Sequence, residues 1–124
     1  MAQERDGAMF ALVLIFCVLV LHSEMVHADT HIVGDGGGWS FNVGIWPKGK
    51  SFKAGDILVF KYNPFAHDVL VVNEAGYNTC DPFFGERLFF SGNDQIQLAR
   101  GMNYFICGFP GHCLRGMKFA INAA

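Results

Sequence analysis

Short β-prone runs separated by turn residues dominate the chain after residue 28. Such runs recur roughly every ten residues, and segments with the 3.6-residue periodicity of an amphipathic helix are nearly missing. This spacing of the β-prone runs favours a β-sandwich or a barrel over any helical architecture. We predict one short helix, placed between residues 73 and 85. The predicted strands cover residues 31–33, 57–62, 69–72, 88–90, 95–98, 103–107 and 118–122.

The strand at 69–72 is apolar at every position, which predicts burial on both of its faces. The chain also has 13 phenylalanines and two tryptophans. We interpret these aromatic residues as core packing rather than as a binding site for a cofactor.

An uncharged apolar stretch from residue 8 to residue 21 precedes the β-rich region. It is shorter than the roughly 20 residues that a membrane-spanning helix needs. Val26-His27-Ala28 offers small residues for cleavage before Asp29. We therefore predict a secretory signal peptide over 1–28 and one domain over 29–124. Acidic neighbours on both sides of Arg5 leave an uncleaved signal anchor as the alternative.

The charges of residues 29–124 cancel, because eight Lys and Arg residues offset eight Asp and Glu residues. Neither a basic stripe nor a polybasic run occurs. This charge pattern argues against nucleic acid and against anionic lipid as partners.

The predicted domain contains an odd number of cysteines, namely Cys80, Cys107 and Cys113. In an oxidising compartment, three cysteines leave one thiol after a disulfide has formed. The remaining thiol therefore needs a function or a buried position.

Cys107, His112 and Met117 follow one another at intervals of five residues. The Gly and Pro residues between them exclude a regular helix, so we place all three on a loop between two strands. A thiolate, an imidazole and a thioether suit copper. His67, at the start of the strand 69–72, offers a second imidazole.

Cys113 directly follows His112, and adjacent residues of an extended chain point in opposite directions. We therefore assign Cys107 as the metal ligand and predict a disulfide between Cys113 and Cys80. The individual residues also have simpler interpretations. His67 suits a strand edge, Met117 suits core packing, and Cys107 suits a buried inert thiol.

Other chemistries fit the same residues less well. Zinc binds thioethers poorly, and the paired cysteine spacing of zinc sites is missing. A Cys–His nucleophile would need an orienting group and a substrate cleft, so we do not predict an enzyme.

At these residues the chain closely resembles the phytocyanins, which are plant blue-copper proteins, and among them the plantacyanins or basic blue proteins. The resemblance covers nearly all of 29–124. The motifs that carry it are Val33-Gly34, Gly37-Gly38-Trp39, Lys53-Ala54-Gly55-Asp56, Asn63-Pro64, Thr79-Cys80, Ser91-Gly92 and the run from Tyr104 to Met117.

The resemblance implies an all-β, cupredoxin-like Greek-key sandwich of about eight strands. It also implies one type 1 copper ion, with equatorial ligands His67, Cys107 and His112 and the weak axial ligand Met117. Electron transfer is the implied activity. The chain ends soon after its last strand, so we expect a soluble, secreted protein of the apoplast or cell wall.

Two features depart from the plantacyanin pattern. Asp68 stands where asparagine is usual, and the near-zero charge of the domain does not match the word "basic". We expect the added carboxylate to favour Cu(II) and to lower the reduction potential.

The apolar residues around His112 suggest where a redox partner docks, and we expect the protein itself to be a monomer. They include Phe109, Pro110 and Leu114, and Phe65 and Ala66 just before His67 extend the same surface. The alternative function is extracellular signalling or cell-wall interaction, in which copper is mainly structural. A Cys107→Ser protein that folds but does not bind copper distinguishes the two functions. Signalling or cell-wall interaction would be retained in this variant, whereas electron transfer would be lost.

Overall fold

The structure is a computed structural model that describes residues 9–17 and 27–124. Residues 9–17 are helical and exposed, and we label them α1. The other residues of the predicted signal peptide, 1–8 and 18–26, lie outside the described part. Among the described residues, no helix is both long enough and apolar enough to span a bilayer.

Seven strands form two sheets within the described residues, in the orders β1-β2-β5 and β4-β3-β6-β7. The strand β1 runs parallel to β2, and the other pairs are antiparallel. The strands are β1 Thr30–Ile32, β2 Ile57–Lys61, β3 Val69–Val72, β4 Gly85–Phe89, β5 Asn93–Gln97, β6 Gly101–Ile106 and β7 Lys118–Ala123. The short helix α2 covers Glu74–Thr79, and three 3-10 turns cover Asp35–Gly37, Val43–Ile45 and Pro82–Phe84.

The predicted sandwich is confirmed, and so is its single short helix between residues 73 and 85. The part of the chain that the structure describes has seven strands, close to the number that the resemblance implies. Phe52 pairs with Ala123 through an isolated parallel bridge, so the segment before β2 touches the edge of β7 at one point only.

The main core lies between the two sheets and is filled by aromatic rings. Phe60 of β2, Phe105 of β6 and Phe119 of β7 are fully buried, and their ring centroids lie 5.1 to 6.0 Å apart. Trp39 meets Phe60 and Phe119 edge to face. Such aromatic pairs add about 0.5–1.5 kcal/mol each beyond their buried area.

The strand β3 is buried on both faces, as its sequence predicts. Val69 and Val71 face the main core. Leu70 and Val72 face the opposite way, into a second cluster that is covered by α2 and the cysteines 80 and 113.

Helix α2 lies directly against β3 because Gly76 leaves room for it. A Cβ atom at Gly76 would come within 3.0 Å of the Val72 Cβ atom and 2.8 Å of the Phe84 Cβ atom. The Asn73 side chain caps the helix by accepting a hydrogen bond from Gly76 N–H at 2.8 Å. The helix ends at Thr79 and is followed by Cys80, whose backbone is left-handed with φ of 55°. This ending directs Cys80 back toward the sheet.

The observed β4, 85–89, begins three residues before the predicted strand at 88–90. Its first four residues are exposed and show no apolar alternation. The bounds of this edge strand are set by its pairing with β3. The side chains of β4 alone therefore do not predict where the strand begins.

Asp56 is a fully buried carboxylate that holds the beginning of β1 against the turn before β2. Its two oxygens accept hydrogen bonds from Asp29 N–H, Lys53 N–H and His31 Nε2, each at 3.0 Å. Burial alone would raise the pKa of Asp56, but these hydrogen bonds outweigh burial and lower the pKa below its ordinary value.

We expect Asp56→Asn to lower the free energy of unfolding at pH 7 by about 1–3 kcal/mol, because the amide NH2 cannot accept the hydrogen bonds that a carboxylate oxygen accepts. The lowered pKa means that the carboxylate stabilises the folded state above about pH 4 and loses this effect as the pH falls through the folded-state pKa. Urea unfolding should therefore show that the difference in free energy of unfolding between the unaltered protein and Asp56→Asn is smaller at about pH 3 than at pH 7. The exposed Glu86→Gln serves as the control, and equal stability of the Asn variant at pH 7 would contradict the assignment.

Candidate metal centre

Three potential metal donors converge at one end of the sandwich. The Cys107 Sγ atom lies 3.9 Å from His67 Nδ1 and 3.6 Å from His112 Nδ1, and the two ring nitrogens are 3.1 Å apart. Cys107 is buried, whereas both histidines are half-buried. These three residues are the candidate metal group in the described part of the chain.

His67 is positioned by a tight turn before β3. Asn63 begins this turn: its side chain accepts a hydrogen bond from Phe65 N–H at 2.9 Å, and its carbonyl accepts from Ala66 N–H and His67 N–H. An Asn followed by Pro is a favoured sequence for such a turn. The turn leaves the imidazole at the point where β3 enters the core.

The other donors lie on the loop between β6 and β7. Cys107 N–H donates to the Met117 carbonyl, and Met117 N–H donates to the His112 carbonyl, both at 3.1 Å. Gly111 and Gly116 take positive φ angles of 79° and 100°, which let the chain fold back on itself.

The fourth predicted ligand, Met117, lies in the same folded loop. Its side chain is fully buried and belongs to the same core cluster as Cys107. The structure therefore brings the three nitrogen and sulfur donors together and places Met117 beside them in the core. The role of Met117 as a ligand stays a prediction.

The predicted disulfide between Cys80 and Cys113 is present, with a Cα–Cα distance of 5.6 Å. Cys107 belongs to the main core, whereas Cys113 belongs to the second cluster on the other side of the sheet. The adjacent His112 has its Nδ1 atom 3.6 Å from Cys107 Sγ, so His112 and Cys113 contact different partners, as predicted. The disulfide ties the loop to α2.

The pKa shifts at this site have opposite effects on metal binding, since the Cys107 thiol is held protonated more strongly and the His67 ring is held neutral. Burial raises the pKa of the Cys107 thiol, although the N–H groups of Asp68 and Phe109 partly offset the shift. Burial and the nearby His112 lower the pKa of His67, which favours a neutral ring with a free lone pair. A neutral imidazole and a thiolate are the ligand forms that a metal requires.

The donor set fits copper chemically. It offers one soft sulfur and two imidazole nitrogens at a shared point, with a thioether-bearing residue buried nearby. Four such residues on two loops can hold a single ion between them.

Asp68 lies behind the donors and links the two loops. Its carboxylate accepts a hydrogen bond from Gly108 N–H, and its backbone carbonyl accepts from Trp39 Nε1 at 2.8 Å. The family resemblance marks Asp68 as a departure from the usual asparagine, but it does not indicate this acceptor role.

Sequence analysis missed Phe41, which packs against both histidines. Its ring centroid lies 4.8 Å from that of His112 and 5.6 Å from that of His67, and the Arg115 guanidinium lies 4.5 Å from the ring. Phe41 lies on an irregular segment far from the ligands in sequence, so no spacing pattern marks it.

Comparison with known proteins supports the same class of site. The profile of the plastocyanin-like domain family matches residues 39–117. A chemocyanin from Lilium longiflorum is 51% identical over 126 residues, covering 100% of both chains. The structure of cucumber basic protein, a blue copper protein, superposes with a TM-score of 0.74 at 56% identity, covering 77% of this chain and 99% of that one. Spinach plantacyanin gives a TM-score of 0.64 at 57% identity, covering 70% and 94%.

Two sheets that carry a His–Cys–His cluster at one end define the cupredoxin class of blue-copper fold. Within that class, the chain belongs to the phytocyanin family, and its similarities lie with the plantacyanin or basic blue group.

We expect the double variant Cys80→Ser/Cys113→Ser to lower the free energy of unfolding by about 3–4 kcal/mol, since the disulfide closes a loop with a sequence separation of 33. Urea unfolding of the metal-free protein measures the change. Thr79→Ser is the control, because it keeps both the disulfide and the hydroxyl that donates to Ala75. An unchanged midpoint and slope in the double variant would contradict the prediction.

Proposed function

We propose that the chain is a secreted protein that binds one type 1 copper ion and transfers single electrons without catalysing a reaction. The observation that carries this proposal is the convergence of His67, Cys107 and His112 within one small group of donor atoms. We assign these three residues as equatorial ligands and Met117 as the weak axial ligand. A bound copper ion supplies a one-electron Cu(II)/Cu(I) couple.

The protein's own contribution is to hold the donors in one arrangement. Cys107 continues directly from β6, and its N–H is fixed by the Met117 carbonyl. Phe41 and Phe109 pack against the His112 ring and limit its movement. A rigid donor set lets the oxidation state change with little rearrangement, and a fourth donor leaves no open position for a substrate.

His112 provides the route for electrons to leave the site. Its ring is half-buried, so it is not sealed from solvent. Leu114, two residues after His112, is 79% exposed, and Phe65, two residues before His67, is 93% exposed. We propose that this apolar surface docks a redox partner transiently and that the protein acts as a monomer.

Secretion is supported by the sequence and by the covalent structure. Disulfides such as Cys80–Cys113 form and persist in oxidising compartments, of which the secretory pathway is one. The uncharged stretch at residues 8–21 suits a signal peptide. We propose the apoplast or cell wall as the location.

We expect the copper-loaded protein to show a strong thiolate-to-copper absorption band at about 600 nm. Cys107→Ser should abolish the band because it removes the thiolate. Met117→Gln should keep the band and lower the reduction potential, because the axial ligand tunes the potential. Met102→Leu, at an exposed methionine of β6, should change neither property.

The outcome of this experiment is decisive for the copper proposal. A protein that takes up copper but lacks the band would overturn the assigned ligand set. A Cys107→Ser variant that keeps the band would show that a different residue supplies the sulfur.

We expect Asp68→Asn to raise the reduction potential by on the order of 20–60 mV, since 59 mV corresponds to a tenfold change for a one-electron couple. The substitution removes a negative charge that lies close to Cys107 and that favours the more highly charged oxidised state. Asparagine can still accept the hydrogen bond from Gly108 N–H through its carbonyl oxygen. Cyclic voltammetry measures the shift, and the exposed Glu74→Gln controls for net charge. An equal or lower potential in the Asn variant would contradict this explanation.

A further inference from the structure

A cavity of about 400 Å³ lies apart from the proposed copper ligands. It is formed by the glycine-rich turn at 34–37 and by the segment 40–50. Its volume is within the range of about 300–1,000 Å³ that is typical of small-molecule sites. We call it the Trp46 pocket.

Trp46 forms a fixed apolar wall of this pocket. Its indole packs against Phe52 and Phe119, with ring centroids 5.7 and 5.5 Å away. The indole N–H donates to Asp35 Oδ1 at 3.2 Å, which fixes the carboxylate at the pocket wall. Ile45, which is 78% exposed, extends the apolar surface at the rim.

Two ammonium groups line the same pocket. Lys50 lies 3.9 Å from Asp35 Oδ2 and 5.5 Å from the centroid of the Trp46 ring. The side chains of Lys50 and Asp35 are 36% and 72% exposed, so their ion pair is weak and easily rearranged. Lys48 has no acidic partner among the described residues, which leaves a net positive charge in the pocket.

The remaining polar wall comes from Ser40 and Asn42. Ser40 is half-buried and Asn42 is exposed, so both side chains are accessible to a ligand. Both can donate and accept, so they suit hydroxyl groups on a ligand.

We propose that the Trp46 pocket binds a sugar carboxylate, that is, a uronate residue. Ammonium groups only donate hydrogen bonds and so require an acceptor, whereas the ionised Asp35 only accepts and so requires a donor. A hydroxylated carboxylate supplies both, with its carboxylate directed at Lys48 and Lys50. Its apolar C–H face can lie against Ile45, which is exposed at the rim beside the largely buried Trp46. The volume accommodates one or two sugar rings.

The test uses the protein as purified and digalacturonate as the probe, followed by calorimetry and by the NMR signal of the Trp46 indole N–H. We expect saturable binding that shifts this signal. Lactose, as a neutral disaccharide, and inorganic phosphate, as an anion without sugar hydroxyls, should each bind at least about tenfold more weakly.

Matched variants locate the site. Lys48→Gln and Lys50→Gln should each weaken binding of digalacturonate by about three- to tenfold. Arg100→Gln removes the same charge from an exposed turn outside the pocket and should change the affinity by less than about twofold. Asn42→Ala should weaken the binding of digalacturonate without changing that of phosphate.

Three results would overturn the proposal. The first is the lack of digalacturonate binding to the unaltered protein. The second is binding of lactose or phosphate with equal affinity, because the pocket would then not recognise a hydroxylated carboxylate. The third is an equal loss in Arg100→Gln, which would indicate nonspecific charge attraction. The 600 nm band tests the copper site separately, so failure of one proposal does not decide the other.

Discussion

The hydrogen bond from Cys107 N–H to the Met117 carbonyl is the constraint on which the functional end of the molecule depends. It lies where the β6–β7 ladder stops, one residue beyond the last pair, Ile106 and Lys118. The loop therefore begins and ends at fixed points of a buried sheet. Because the sheet fixes these ends, the intervening residues can leave regular structure and still present His112 and Cys107 in a defined arrangement.

The sheet also separates two kinds of packing. One face of β3 and β6 meets the aromatic core, where Cys107 lies. The other face meets α2, where Cys113 is bonded to Cys80. The free thiol of Cys107 and the Cys80–Cys113 disulfide can thus lie close in sequence without competing for space. The buried carboxylate of Asp56 stabilises the opposite part of the fold through backbone N–H groups.

The sequence predicts features that depend on local pattern. Turn residues between apolar runs indicated the sandwich, the continuous apolar run of β3 indicated burial on both faces, and cysteine parity indicated the disulfide. Features that depend on pairing across the fold were missed or misplaced. The start of β4 is set by β3, Phe52 meets β7 at a single bridge, and Phe41 reaches the histidines from a distant loop. No local periodicity encodes such contacts.

The burial of Cys107 has a consequence for how the chain matures. Any two of the three domain cysteines could pair by oxidation while the chain is still unfolded. Once the sandwich has closed, Cys107 is 1% exposed and faces the aromatic core, whereas Cys80 approaches Cys113 from the other side of the sheet. Thiol–disulfide exchange needs access to the attacking sulfur. Folding of the domain therefore selects the Cys80–Cys113 disulfide during oxidation. This disulfide is compatible with the closed sandwich, whereas a disulfide that contains Cys107 is not.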